Sequence, residues 1–153
     1  MKKTSLSKYP VFKSFETREI TLLESVMVER ELTQGHFLFR KGDVARECFF
    51  LLEGNVFVGL ESDSGFQRLA ELVEGDIFGE LALLDGGGRS ASCRVGPDGA
   101  KVGILGRGEF DHVFNSGQPF AYSLLDLIAD RLIDRVRGAV VELGQVMESE
   151  RDQ

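Results

Sequence analysis

The chain has 153 residues, 42% hydrophobic and 28% charged, which suits one globular domain whose core needs neither disulfides nor a structural metal. Its net charge of -7 gives an overall field that repels a nucleic-acid backbone, although a local basic pocket can still take a small phosphate. Two histidines, far apart in sequence, exclude a clustered multi-histidine metal centre.

In chain order, residues 1–31 are read as short helices. Leu6, Phe12, Phe15, Ile20, Leu22, Leu23, Val26 and Val28 have mostly helix-compatible spacing. Thr17 is the predicted N-cap, with Glu19 in the first turn. The lysines at the start precede no apolar stretch of a secretory signal, and no run approaches the ~20 residues of a membrane span. The protein is therefore expected to be cytoplasmic. Residues 32–105 read as strands: HFLFR, ECFFLLEG, NVFVGLES, FQRLAELV, ASCRV and KVGILG. Turn signals at 41–43, 53–55, 63–65, 74–76 and 96–99 separate them. The eighteen glycines suit such tight turns. Cys48 and Cys93 fall in two of the apolar runs and read as reduced, buried thiols, with a disulfide or a reactive thiol as the alternative. The expected fold class is mainly β with flanking helices: a double-stranded β-helix, or jelly-roll, barrel in a single domain.

One stretch breaks the strand pattern. Residues 78–91, FGELALLDGGGRSA, place a helix former, Glu80 to Leu84, before a glycine run from Gly86 to Gly88. Beyond the barrel, residues 107–153 read as helical, with a short helix at 109–115 and a long one at 119–149. Leu125, Ala129, Leu132, Val136, Ala139, Leu143 and Val146 form a heptad seam. It fits a parallel dimer helix; the alternative is an amphipathic helix lying on its own barrel.

Residues 78–91 also carry the chemistry. Gly79 opens a helical turn whose free amides favour an anion. Arg89 supplies a guanidinium that pairs with phosphate through two hydrogen bonds. Ser90 and Ala91 add backbone donors, and Glu80 can accept from a sugar hydroxyl. Together they describe a sugar-phosphate site.

The same stretch resembles the phosphate-binding cassette of the cyclic-nucleotide-binding domains of catabolite activators and protein kinase A regulatory subunits. The resemblance extends to TQGHFLFRKGDVARECFFLLEGNVFV, with glycines 35, 42 and 54 in register, to the lead-in VEGDIFGE and to the terminal helix. It implies that Glu80 accepts from the ribose 2′-hydroxyl. Gly79, Leu81 and Ala82 line the phosphate turn, Arg89 neutralises the cyclic phosphate, and Ser90 and Ala91 complete the cradle. Val58 and Leu69 form an apolar wall beside the base, and Arg131, Asp134, Arg135 and Val136 of the long helix cap it. The segment GPDGAKVG is longer and richer in glycine than the family pattern, and Ser90 does not decide between adenine and guanine.

The resemblance implies a sensor for a cyclic mononucleotide, cAMP or cGMP, with no cofactor and no enzymatic activity. It would signal through its own dimer or a protein partner. No helix-turn-helix follows the long helix and the final turn is acidic, so neither nucleic acid nor membrane is an expected partner. The alternative is a constitutive scaffold or adaptor whose pocket is vestigial or takes another ligand, such as a cyclic dinucleotide.

Overall fold

The computed structural model describes residues 5–84, 87–117 and 119–152. Six antiparallel strands form one strongly bent sheet: β1 (Val28–Leu32), β2 (Phe37–Phe39), β3 (Glu47–Ser62), β4 (Gly65–Leu72), β5 (Ile77–Phe78) and β6 (Ser92–Gly106). The main path is β1-β6-β3-β4, with β2 paired to β6 and β5 to β3. Among the described residues three α-helices flank it: α1 (Thr17–Val26), α2 (Arg107–Asn115) and α3 (Pro119–Arg151). This is the jelly-roll barrel with its N-terminal and long C-terminal helices.

The long strands explain the bend. The first part of β6 pairs with β2 (Phe37 opposite Arg94), and its last part pairs with β1 (Leu32 opposite Ala100). β3 runs beside β6 through both parts. The sequence segments ECFFLLEG and NVFVGLES are therefore one strand, and so are ASCRV and KVGILG. The turns expected at 53–55 and 96–99 are replaced by an irregularity inside the sheet, where Gly54 pairs with Ala100 and Val56 with Val95. Asn55 is thus opposed by residues 96–99. Gly54 has φ +85, and a Cβ there would lie 2.0 Å from the Gly99 carbonyl oxygen. The glycine that looked like a turn signal is required by close backbone approach.

Two further expectations change. β1 begins at Val28, inside the stretch read as helical, because pairing with β6 outweighs local preference. The N-cap of α1 is Glu16, and Thr17 is the first helical residue; the Glu19 carboxylate accepts from the Glu16 N–H at 3.0 Å, in a capping box.

The period-2 alternation of β3 feeds two cores. Phe49, Leu51 and Val56 point into the barrel with Phe78, Cys93, Val95 and Val102. Cys48, Phe50 and Leu52 point outward, under the helices, with Phe12, Leu23, Leu105, Phe120, Leu124 and Ile128. The Tyr9 hydroxyl ties the N-terminal segment to this layer by donating to the Leu52 carbonyl at 2.7 Å. Burial holds its pKa up at about 12. Cys48 and Cys93 are both free thiols and buried.

α3 packs through Phe120, Ala121, Leu124 and Ile128, a face displaced from the predicted seam. Of the seam, Leu125 and Leu132 are half-buried, and from Ile133 to Asp152 every residue is exposed. The helix thus serves its own barrel with its first half and projects with its second. No helix among the described residues is long and apolar enough to cross a membrane.

Candidate functional site

Among the described residues, two charged side chains are buried: Glu80, 1% exposed, and Arg89, 9% exposed. Ionised groups leave water at a cost, so a buried pair of opposite sign at the two ends of one short segment demands partners. Each is held differently.

β5 sets Phe78 opposite Phe49 of β3, and their rings stack with centroids 5.2 Å apart. The chain then turns through Gly79, at φ +68 and ψ 18, into a 3-10 turn at Glu80–Leu83. The left-handed backbone there aims the Gly79 carbonyl at Arg89, whose Nη1 donates to it at 3.1 Å. Arg89 Nη2 donates to the Glu47 carbonyl at 2.7 Å. Its guanidinium carbon sits 4.1 Å from the Phe39 ring centroid. The main chain of Arg89 is also fixed: its N–H donates to the Asp43 carbonyl, and its carbonyl accepts from Gly42 N–H, both at 2.8 Å. Burial lowers the Arg89 pKa from its ordinary value. Arg89 Nε is buried and, among the described residues, has no hydrogen-bond partner. A buried cation with a spare donor and, among the described residues, no carboxylate ligand has the chemistry to receive an anion.

Glu80 is covered from α3. Arg135 Nη1 donates to Glu80 Oε1, and Arg135 Nη2 donates to the Ile77 carbonyl at 3.0 Å. Arg135 is half-exposed at its own end.

The structure therefore brings together Gly79, Glu80, Arg89 and Arg135. Leu81 and Ser90 are exposed and Ala91 is half-buried beside them. Ala82 lies in the 3-10 turn, its side chain outside the described residues, as is Gly86 of the glycine run. Val58 packs against the barrel core. Leu69 falls at a register shift, because Val58 pairs with Ala70 and Gly59 with Arg68, and this extra residue is exposed. Of the four residues expected to cap a base, Arg131 is half-buried while Asp134 and Val136 are exposed. Arg135 sits on the Glu80 carboxylate. Sequence reasoning missed Phe39, Phe49 and Glu47 as the surroundings of Arg89. The aromatic runs FLF and FFLL signal a core, and nothing in them marks which ring faces a cation.

Among the described residues no group of three or more histidine, cysteine, aspartate or glutamate side chains is placed to hold a metal ion. Burial pushes the Cys93 thiol up to about 12, and raises Cys48 as well, so neither is poised as a thiolate.

Residues 29–116 match the family described as cyclic nucleotide-binding domain. The chain is 32% identical over 124 residues to a cyclic AMP receptor protein of Thermus thermophilus, covering 80% of this chain and 57% of that one. It is 29% identical over 100 residues to a cAMP-dependent protein kinase type II regulatory subunit of Drosophila melanogaster, covering 65% of this chain and 26% of that protein. Among solved structures it is similar to the Thermus thermophilus catabolite activator protein, with TM-score 0.74 and 29% identity over 90% of this chain and 62% of that one. A cyclic nucleotide-binding domain from Methylobacillus flagellatus aligns with TM-score 0.75 and 25% identity over 87% of this chain and 75% of that one.

Proposed function

The chain belongs to the cyclic nucleotide-binding domain family, and from that premise we propose that it binds a cyclic purine mononucleotide, cAMP or cGMP, as a sensor without enzymatic activity. The observation that carries this reading is the pair of buried charges at the ends of one cassette, with Arg89 Nε left without a partner among the described residues. Arg89 takes the cyclic phosphate, with the amides of the Gly79–Ala82 turn and of Ser90 and Ala91 as further donors. Glu80 accepts the ribose 2′-hydroxyl. Val58 and Leu69 lie beside the base, and Arg131, Asp134, Arg135 and Val136 close over it from α3 in the ligand-bound state.

The signal leaves through α3, whose projecting half exposes Ile133, Val136, Val140, Leu143, Val146 and Met147. These residues suit a second copy of the chain or a protein partner. The charge of the chain, -7, argues against nucleic acid as that partner.

A second reading has its own observation. Arg89 already satisfies two carbonyls and Glu80 already holds Arg135. That self-sufficiency suits a scaffold whose pocket is vestigial or takes a different ligand, such as a cyclic dinucleotide.

A thermal-shift and titration panel of cAMP, cGMP and cyclic dinucleotides, on the wild type and Arg89→Ala, separates the two. A ligand at ~100 times its Kd adds about 2.7 kcal/mol. That corresponds to at least about 5 °C for a domain of this size. In Arg89→Ala, loss of the buried ionic partner costs roughly 3–5 kcal/mol, or about two to four decades of affinity. No shift with any of these ligands, in protein free of bound nucleotide, selects the scaffold.

A further inference from the structure

The helical layer covers the outer side of the barrel at Cys48, Phe50 and Leu52 of β3. Beyond the irregularity at 54–56, Val56 and Val58 pack in the barrel core and Phe57, between them, points outward. One row then crosses four strands: Phe37 of β2 lies opposite Arg94 of β6, Arg94 opposite Phe57, and Phe57 opposite Glu71 of β4. Beside this row Phe66 of β4 crosses β3 at Gly59, where a Cβ would lie 2.6 Å from the ring. Its ring meets Phe37 edge to face, with centroids 6.0 Å apart. Phe37, Phe57 and Phe66 are half-buried and belong to neither core cluster. Three exposed arginines lie over them. The guanidinium of Arg40 is 4.3 Å from the Phe37 centroid and that of Arg68 is 4.2 Å from the Phe57 centroid. Arg94 stands 5.8 Å from Phe37 and 5.9 Å from Phe66.

We propose that this face docks a short acidic segment of a protein partner, which lays an apolar side chain on the rings and sets carboxylates on the guanidiniums. The charges favour that occupant. Arg40 and Arg68 reach Glu61 and Glu71 at 3.6 and 3.9 Å, and exposed pairs of this kind cost little to exchange. Arg94 has no carboxylate partner among the described residues and is held between two rings. A stacked guanidinium is ordered before a partner arrives, so it loses little freedom on pairing. Arginine beside aromatic rings is also the composition of the energetic centre of protein interfaces. The chain's charge of -7 opposes a long polyanion such as a nucleic acid. A segment with only a few carboxylates meets the local balance instead, in which three arginines outnumber Glu61 and Glu71. None of these residues belongs to the cassette, and the proposal does not rest on what the cassette binds.

The probe is a displayed library of random short peptides, selected on the full chain and then titrated against variants. Arg137→Ala, on the exposed arm of α3, is the control. We expect the selected peptides to carry aspartate or glutamate beside an apolar residue and to bind wild type and Arg137→Ala equally. Arg94→Ala should weaken them at least about fivefold, and added salt should weaken them further. Selected peptides without acidic residues, no selection at all, or equal binding to Arg94→Ala overturns the proposal. Two other occupants are tested in parallel. A single-stranded oligonucleotide that binds wild type and not Arg94→Ala gives the face to nucleic acid. A wild-type dimer that Arg94→Glu dissociates in sedimentation velocity gives it to a second copy. Either result overturns the acidic segment. Should Arg94→Ala not fold, Arg94→Lys decides, because lysine keeps the charge and loses the planar stack and fork: weaker peptide binding supports the proposal, and equal binding overturns it.

Discussion

At Gly79 one missing methyl group makes room for the cation. The backbone there is left-handed, φ +68, and a Cβ would lie 2.7 Å from Arg89 Nη1. Gly79→Ala therefore incurs backbone strain of roughly 1–3 kcal/mol and pushes the guanidinium off the Gly79 carbonyl. We expect a lower ligand-free melting temperature and a loss of cyclic-nucleotide affinity, measured by denaturation and titration. Gly138→Ala is the matched control. Its site on the projecting half of α3 is open, with nothing within 4 Å of a Cβ, so the same change is neutral or stabilises by up to ~1 kcal/mol. Glu80 and Arg89 were legible in the sequence because a cation, an acceptor and a glycine at fixed offsets have few other uses. Phe39 and Glu47, which hold Arg89, were not, since they reach it only through pairing of β2 and β3 with β6.

The elements were legible as types and much less so as boundaries. Glycine signals at 41–43, 63–65 and 74–76 do mark turns between elements, with Gly42, Gly65 and Gly75 all at positive φ. Gly54 carries the same signal for another reason. It lets β3 and β6 pass at van der Waals distance while both strands continue. Gly54→Ala would place a Cβ 2.0 Å from a carbonyl oxygen at φ +85. Left-handed strain and overpacking together destabilise by roughly 3 kcal/mol or more. A urea melt should show it, together with faster hydrogen exchange along β3 and β6. If Gly54 sat in an ordinary exposed turn, strain alone would apply and the strand amides would keep their protection.

At the scale of the molecule the helix α3 divides the chain into a barrel that holds the candidate site and an arm that leaves it. The arm exposes Val136 at 63% and Leu143 at 60%, on the seam read from the heptads. A stripe of that kind exposed on a helix marks an interaction surface. The proposed homodimer predicts that Val136→Glu with Leu143→Glu converts a dimer to a monomer in sedimentation velocity. Neither side chain packs on the barrel, so the stability of the domain itself changes by no more than about 0.5 kcal/mol per site. A wild type that sediments as a monomer at all concentrations removes the dimer and turns attention to a different partner for the arm.

The sequence by itself determined the fold family, the helix–barrel–helix order and the cassette with its carboxylate and guanidinium. The element order rests on local periodicity and turn glycines, and the family rests on the resemblance of residues 78–91 and the segments around them. The tertiary structure decided what those groups meet. Arg135 is 55 residues from Glu80 in sequence, and no pattern along the chain sets the angle at which α3 crosses the cassette. That angle follows from Phe120, Leu124 and Ile128 packing into the helical layer with α1 and α2. It places the guanidinium on the carboxylate because side chains in a packed interior take positions fixed by all their neighbours together.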